Sequence, residues 1–217
     1  MNNELNFKNK IYFIGISMSP SNQNETGIVM LNNELELLRI DKAFELEDIK
    51  LNITNFGHAE KTIVCVDLPR NITLLNGKWR IESKFNKTFN VNCKYAPKQD
   101  WTNRFCDRGS DLCGKLKKEG FDVFRYNSFF TKNALNIIPP FKSRSPAACK
   151  YLQMLIKDKL HILGVPSNMI PLSGLDAIIG AYTAYHMMLG KKGETYNFIS
   201  EFNSLDVVSA VPQYIYK

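Results

Sequence analysis

Two aspartates and a serine in this chain lie beside apolar runs in a way that could bring them into one site. Asp67 closes the run Thr62–Val66, and Ser17 follows another short apolar run. Asp176 lies near the start of the predicted helix Gly174–Leu189. Because α/β proteins bind ligands at the carboxyl ends of their central strands, we expect these positions to converge. Carboxylates there could hold a pair of Mg²⁺ or Mn²⁺ ions about 4 Å apart, the arrangement used in two-metal phosphoryl transfer.

The elements that must position these residues can be read from the order of apolar runs. Five strands are predicted, at Ile11–Ile16, Gly27–Leu31, Leu35–Ile40, Thr62–Val66 and Phe121–Tyr126. Polar turns between the first three predict an antiparallel meander. Helices are predicted at Phe44–Phe56, Asn103–Lys118, Ser145–Leu163 and Gly174–Leu189. We expect one α/β domain over residues 1–217, with its core at about 11–190 and an irregular insertion at about 70–100.

The net charge of +7 is unevenly distributed along the 217 residues. Residues 61–160 contain 20 Lys and Arg against 8 Asp and Glu, a net of +12, whereas both flanking segments are net acidic. A basic surface attracts phosphate-bearing partners such as nucleic acid, and a lysine-rich solvated surface is the alternative. No apolar run is long enough to span a bilayer and no export signal is evident, so we expect a cytoplasmic protein without a membrane partner.

Four segments resemble the motifs of a known family and occur in the family's order. They are Gly15-Ile16-Ser17-Met18-Ser19-Pro20, Val66-Asp67-Leu68-Pro69, Arg104-Phe105-Cys106-Asp107-Arg108 and Leu175-Asp176-Ala177-Ile178-Ile179-Gly180-Ala181-Tyr182-Thr183-Ala184. Over roughly residues 11–190 the chain resembles the predicted nucleases catalogued as domain of unknown function 429, in the ribonuclease H-like superfamily. The resemblance implies a mixed sheet of five strands, an antiparallel meander followed by parallel strands, flanked by helices. It also implies Mg²⁺- or Mn²⁺-dependent nuclease chemistry at Asp67 and Asp176.

Two segments depart from this family pattern. Members usually carry an aspartate where this chain has Ser17, and a Glu-Val-Tyr-Pro-like segment is replaced by Phe124-Arg125-Tyr126-Asn127. A serine supplies no negative charge, and two dications with few anions nearby repel each other strongly. Glu25, in the loop after Ser17, is a further candidate metal ligand. Metal-dependent cleavage is therefore one of several open predictions.

The segment with Arg104, Asp107 and Arg108 could bind substrate. The two arginines could hold a phosphate while the aspartate orients one of them. Alternatively, these residues form an exposed, ion-paired helix turn. Asp67 and Asp176 also have plainer interpretations, because a carboxylate can cap a strand end or stabilise the start of a helix.

Three functions agree with the sequence. The first is a ribonuclease H-like nuclease, or a relative of one, that acts on or binds nucleic acid with an atypical metal site. The second is a catalytically degenerate module that binds nucleic acid or protein. The third is a nucleotide-binding protein of the actin-like ATPase type, in which the hydroxyl-rich loop Ser17–Gly27 would wrap phosphates.

Overall fold

The computed structural model describes residues 10–68, 74–75, 78–82, 88–91, 99–189, 196–199 and 207–210, with side chains described in 10–68 and most of 107–189. Its strands are β1 (Tyr12–Ser17), β2 (Thr26–Asn32), β3 (Leu37–Ala43), β4 (Thr62–Asp67), β5 (Leu74–Leu75), β6 (Lys78–Glu82), β7 (Thr88–Val91), β8 (Asp122–Tyr126), β9 (Tyr196–Ile199) and β10 (Val207–Ala210). Its helices are α1 (Leu46–Phe56), α2 (Gln99–Lys118), α3 (Ser128–Ala134), α4 (Pro146–Leu160) and α5 (Leu172–Leu189).

The main sheet confirms the predicted ribonuclease H-like architecture. Its strand order is β3-β2-β1-β4-β8-β10-β9. The first three strands form the antiparallel meander, and β1, β4 and β8 run parallel side by side. Strands β10 and β9 extend the sheet beyond β8, and they fall after the segment to which the sequence assigned the core. The predicted five strands are therefore the continuous centre and one edge of a wider sheet.

Helices cover both faces of this sheet, and the side chains of β1 show why. Phe13 packs into a core cluster with α4 and α5, whereas its neighbour Ile14 packs into a second cluster with α1 and α2. Alternate residues of a strand point to opposite faces, so a continuous apolar run such as that of β1 buries both. The result is a three-layer arrangement in which each helix layer has its own apolar core.

Helix α5 lies unusually close to the sheet because β1 and β2 present glycines to it. A Cβ atom at Gly15 would lie 1.9 Å from the carbonyl oxygen of Ala177, and one at Gly27 would lie 2.3 Å from that of Ser173. Neither neighbour is a flexible side chain that could move aside. The helix backbone is therefore seated directly on the two strands, and only glycine is compatible with this contact.

The remaining elements refine the sequence predictions. Residues 70–100 contain β5, β6 and β7, which form a separate antiparallel sheet that low periodicity concealed in the sequence. The predicted helix Ser145–Leu163 is shorter in the structure, because Ser145 accepts a cap hydrogen bond from the Ala148 amide and His161 turns left-handed. Helix α3 was not predicted. None of the helices in the described ranges is both long and apolar enough to cross a membrane. The single-domain organisation stays a prediction.

Candidate functional site

Three parallel strands end at the same level of the sheet, and their last residues are neighbours. Ser17 of β1 lies opposite Asp67 of β4, which in turn lies opposite Tyr126 of β8. The half-buried Asp67 carboxylate accepts a hydrogen bond from the backbone amide of Ser128, 3.0 Å away at the start of α3. The structure thus places Ser17 and Asp67 side by side, at the carboxyl ends of the central strands.

Asp176 reaches this place from the first turns of α5. Its side chain is only 12% exposed, and Oδ1 lies 2.7 Å from Nζ of Lys132, whose side chain is 13% exposed. The hydroxyl of Tyr126 donates to the backbone carbonyl oxygen of Asp176 at 2.6 Å, which ties α5 to the end of β8. Asp176 therefore lies in a mostly buried ion pair rather than beside open solvent.

The electrostatics of the two acids reflect their burial and their proximity. Burial, and then the negative charge of Asp176, raises the pKa of Asp67 to about 6, although the hydrogen bonds of Ser128 and the charge of Lys132 act against this rise. Burial also raises the pKa of Asp176, and its Lys132 partner opposes the shift. The charge of Asp176 disfavours the ionisation of Asp67, and the nearby cation Lys132 favours the ionisation of both acids.

A cleft of about 480 Å³ opens beside Asp176 and Ser17. Its walls combine hydroxyl, amide, carboxylate and guanidinium groups with apolar side chains, and they include Ser17, Asn24, Glu25, Arg144, Ser173 and Asp176. Arg144 is exposed and has a left-handed backbone, with φ of 64°, directly before the cap of α4. Its positive charge acts on Asp176, and it has no salt-bridge partner among the described residues. The cleft therefore offers one available guanidinium beside a neutralised acid.

Glu25 does not join the two aspartates. It accepts a hydrogen bond from the Ser173 hydroxyl at 2.6 Å, at the start of α5, and lies 3.9 Å from Lys42. A carboxylate near the first turn of a helix is favoured by the helix dipole. Glu25 thus lines the cleft but is engaged by the helix start, away from the position that compensation for Ser17 would require.

The arginine segment on α2 is only partly within the described side chains. Arg104 lies in the helix, but its side chain falls outside them, and Asp107 is exposed. Arg108 donates to the side-chain oxygen of Asn22 and to the carbonyl oxygen of Phe44. It therefore joins α2 to the β1–β2 loop and to the start of α1, and it is not part of the cleft wall. Phosphate binding by this segment stays a prediction.

These side chains do not fit a pair of divalent ions. Asp176 is already paired with an ammonium group, and Ser17 carries no charge. Two dications about 4 Å apart repel by roughly 17 kcal/mol at an effective dielectric constant of about 20, so they require several anions. Within the described ranges, no three His, Cys, Asp or Glu side chains are grouped so that they could hold a metal. The predicted site of Asp67, Asp176 and Glu25 with Mg²⁺ or Mn²⁺ lacks the charge for two ions.

Lys132, Ser128 and Arg144 were absent from the residues singled out by sequence. Ser128 and Lys132 lie on α3, a seven-residue helix too short to show a helical period. Arg144 sits in a segment rich in proline and serine, next to the helix cap that the sequence did indicate. The Pro-x-Phe-Lys-Ser-Arg-Ser-Pro stretch in residues 139–146 was a usable signal, because a basic pair before a helix start can reach an anion.

Comparison with known proteins leaves the family prediction untested. No family model matches the sequence, and no curated protein matches it either. Among solved structures, the chain is similar to T. thermophilus RuvC in complex with Holliday junction substrate, at 15% identity, 83% coverage of this chain, 96% of that chain and a TM-score of 0.49. A second Thermus thermophilus RuvC structure matches at 13% identity, 83% and 97% coverage and the same TM-score. The fold assignment rests on the strand order and pairing described above.

Proposed function

We propose that this protein is a nucleic-acid-binding relative of ribonuclease H-like nucleases, belonging to the family catalogued as domain of unknown function 429, and that it does not cleave by a two-metal mechanism. The observation that carries the proposal is the Lys132–Asp176 ion pair, 2.7 Å long, beside the neutral Ser17. Two metal ions need several negative charges around them. Here Asp176 is already bonded to a cation, and Ser17 adds no charge. The fold and the cleft are retained.

The cleft supplies the groups that a phosphodiester backbone requires. Arg144 offers a guanidinium, whose planar donors match phosphate oxygens, and the hydroxyl of Ser17 and the amide of Asn24 line the same walls. Because Lys132 neutralises Asp176, the acid opposes an approaching phosphate less than a bare carboxylate would. The +12 charge of residues 61–160 adds long-range attraction.

The test is binding of fluorescently labelled DNA and RNA oligonucleotides, single- and double-stranded, measured by anisotropy over a range of salt concentrations. We expect Arg144→Ala to weaken binding about 10- to 100-fold, since a hydrogen bond to a charged group contributes roughly 1.5–3 kcal/mol. The salt slope should fall by about one. Lys157→Ala is the matched control, because Lys157 is an exposed cation near the other end of α4, roughly 16 Å along the helix.

The proposal is wrong if the protein binds no oligonucleotide, or if Arg144→Ala and Lys157→Ala weaken binding equally. In the second case, the attraction would come from general charge and not from the cleft.

A second candidate function, metal-dependent phosphodiester cleavage, is favoured by one observation. Asp67 and Asp176 lie close enough for the charge of one to raise the pKa of the other, as happens when two carboxylates share one site. Incubation of each labelled oligonucleotide with millimolar Mg²⁺ or Mn²⁺ decides between the two functions. We expect no cleavage product, and product formation that Asp67→Asn abolishes would establish the nuclease instead.

Nucleotide binding of the actin-like ATPase type is less well supported by the loop after β1. Ser19 in this loop is buried, and its hydroxyl lies 3.0 Å from that of Thr26 and donates to the Ser21 carbonyl oxygen at 2.9 Å. The Ser19 amide also donates to the Thr26 hydroxyl. These groups hold the loop together and do not point toward a phosphate. A thermal shift with ATP but none with oligonucleotides would favour this third function.

A further inference from the structure

Helix α3 links the two acids of the site through a single face. Ser128, its first residue, donates its backbone amide to Asp67, and Lys132, one turn later, bonds Asp176 through its ammonium. Residues four apart on a helix lie on the same side, so one short element contacts both carboxylates. The side chains of Lys132 and Asp176 are 13% and 12% exposed, which makes this ion pair the most buried one in the described part of the chain.

We propose that the Lys132 ammonium takes the place of a divalent cation in this acid pair, so that the cleft binds its phosphate ligand without any divalent metal. The inference rests on the proposed function, because it specifies how the same cleft is neutralised. It assigns to Lys132 a role that the sequence did not indicate.

The charges around the cleft support this replacement. Asp67 and Asp176 contribute two negative charges, and the charges of Lys132 and Arg144 both act on Asp176. These two acids and two cations balance one another without an added ion, and Glu25, the other acid of the cleft wall, lies 3.9 Å from a cation of its own, Lys42. A dication entering beside Lys132 would meet a fixed positive charge bonded to the ligand oxygen that it needs. Ser17, which adds no anion, leaves this balance unchanged.

The burial of the pair argues that it is not an incidental surface contact. Two charges removed from water are stabilised only when they remain paired, and a pair of this kind is seldom better for stability than apolar side chains of the same size. Asp176, the acid of this pair, lies in the wall of the cleft, so its pairing with Lys132 affects the charge of the cleft as well as stability. It keeps a carboxylate charge-neutral beside the place where an anionic ligand would lie.

The test is a titration of the protein alone with Mn²⁺. Binding is monitored by calorimetry and by the loss of the electron paramagnetic resonance signal of free Mn²⁺. Wild-type protein should bind no Mn²⁺ at the acid pair at submillimolar concentrations. Lys132→Met keeps the aliphatic stem and removes the charge, so its Mn²⁺ affinity should rise at least tenfold. Lys132→Met combined with Asp176→Asn should return to the wild-type value, because the carboxylate left unpaired by Lys132→Met is then gone.

A second measurement compares wild-type oligonucleotide binding in EDTA and in millimolar Mg²⁺. The dissociation constants should agree within about twofold, and this comparison decides the matter even if Lys132→Met fails to fold. Stoichiometric Mn²⁺ binding that Asp176→Asn abolishes in the wild-type background, or nucleic-acid binding that requires Mg²⁺, would overturn the inference and leave the proposed function intact. If no oligonucleotide binds in either buffer, the proposed function fails, and the Mn²⁺ titration still tests the role of Lys132.

Discussion

Replacement of Asp67 by asparagine should stabilise the protein at neutral pH, and by an amount that depends on pH. In the folded chain, burial and the charge of Asp176 raise the pKa of Asp67 from 3.8 to about 6. The folded state therefore binds a proton more tightly than the unfolded state does. Well below pH 3.8 the residue is protonated in both states, so it contributes no pH-dependent cost to folding. As the pH rises toward 6, the unfolded state ionises first, and stability is lost.

The magnitude follows from the size of the shift. A shift of roughly 2 pKa units corresponds to about 3 kcal/mol at full ionisation, at about 1.4 kcal/mol per unit. Because the Asp67 side chain is half-buried, part of this cost is screened by solvent, and we expect about 1–3 kcal/mol at pH 7. Asparagine is nearly the same size, and its side-chain oxygen can still accept the hydrogen bond from the Ser128 amide.

The assay is urea unfolding followed by circular dichroism at half-unit steps between pH 3.5 and pH 7.5, with EDTA present. The difference in free energy of unfolding between Asp67→Asn and the wild type should be near zero at pH 3.5. It should then grow between about pH 4 and pH 6, and stay constant above that. Asp158→Asn, at an exposed position on α4, controls for the general effect of removing one negative charge.

A difference that is independent of pH, or a variant less stable than the wild type at pH 7, would refute this reasoning. Either result would mean that burial and the charge of Asp176 do not disfavour the ionisation of Asp67 in the folded state. An equal response of Asp158→Asn would assign the effect to net charge instead.

Two further predictions follow from the same structure. Gly15→Ala should destabilise the protein by at least about 3 kcal/mol in urea unfolding, because its Cβ would lie 1.9 Å from the Ala177 carbonyl oxygen. The control is Gly114→Ala in α2, which should stabilise the protein by up to about 1 kcal/mol because nothing lies within 4 Å of a Cβ there. Similar effects of the two substitutions would contradict the close contact of α5 with the sheet. Ser17→Asp places a third carboxylate beside Asp67. The added negative charge should lower the free energy of unfolding in EDTA and raise the affinity for Mn²⁺ at least tenfold in titration calorimetry. Unchanged affinity would show that charge at residue 17 does not limit metal binding.

The central sheet could be predicted because its signals are local. Runs such as that of β4 are apolar throughout and are bounded by charges, which identifies a strand buried on both faces without knowledge of its neighbours. The convergence of Ser17 and Asp67 then follows from strand order alone. Strands β9 and β10 lie after α5, where the sequence reading assigned no further core, and so the full width of the sheet was not predicted.

The chemistry of the site depended on contacts that the sequence does not encode locally. A lysine in a seven-residue helix has the same appearance whether it points into solvent or into a cleft, and only the packing of α3 against α5 gives Lys132 its partner. The same holds for Glu25, where the loop sequence allowed a swing toward the aspartates. Its bond to Ser173 depends on where α5 begins. The residue types therefore identified candidate site residues such as Glu25, but only the tertiary contacts showed which partners these side chains have.

The seating of α5 on β1 and β2 has a consequence for engineering and for evolution. The contact is made between backbone atoms, at Gly15 and Gly27, so it does not depend on which side chains occupy the neighbouring cleft. Substitutions at residues 17, 132 and 144 should therefore change the charge at and beside the cleft while Asp176 keeps its place relative to the sheet. The position of the helix and the charge of the site can therefore be changed independently. We expect that Ser17→Asp combined with Lys132→Met would convert this site into a metal-binding one.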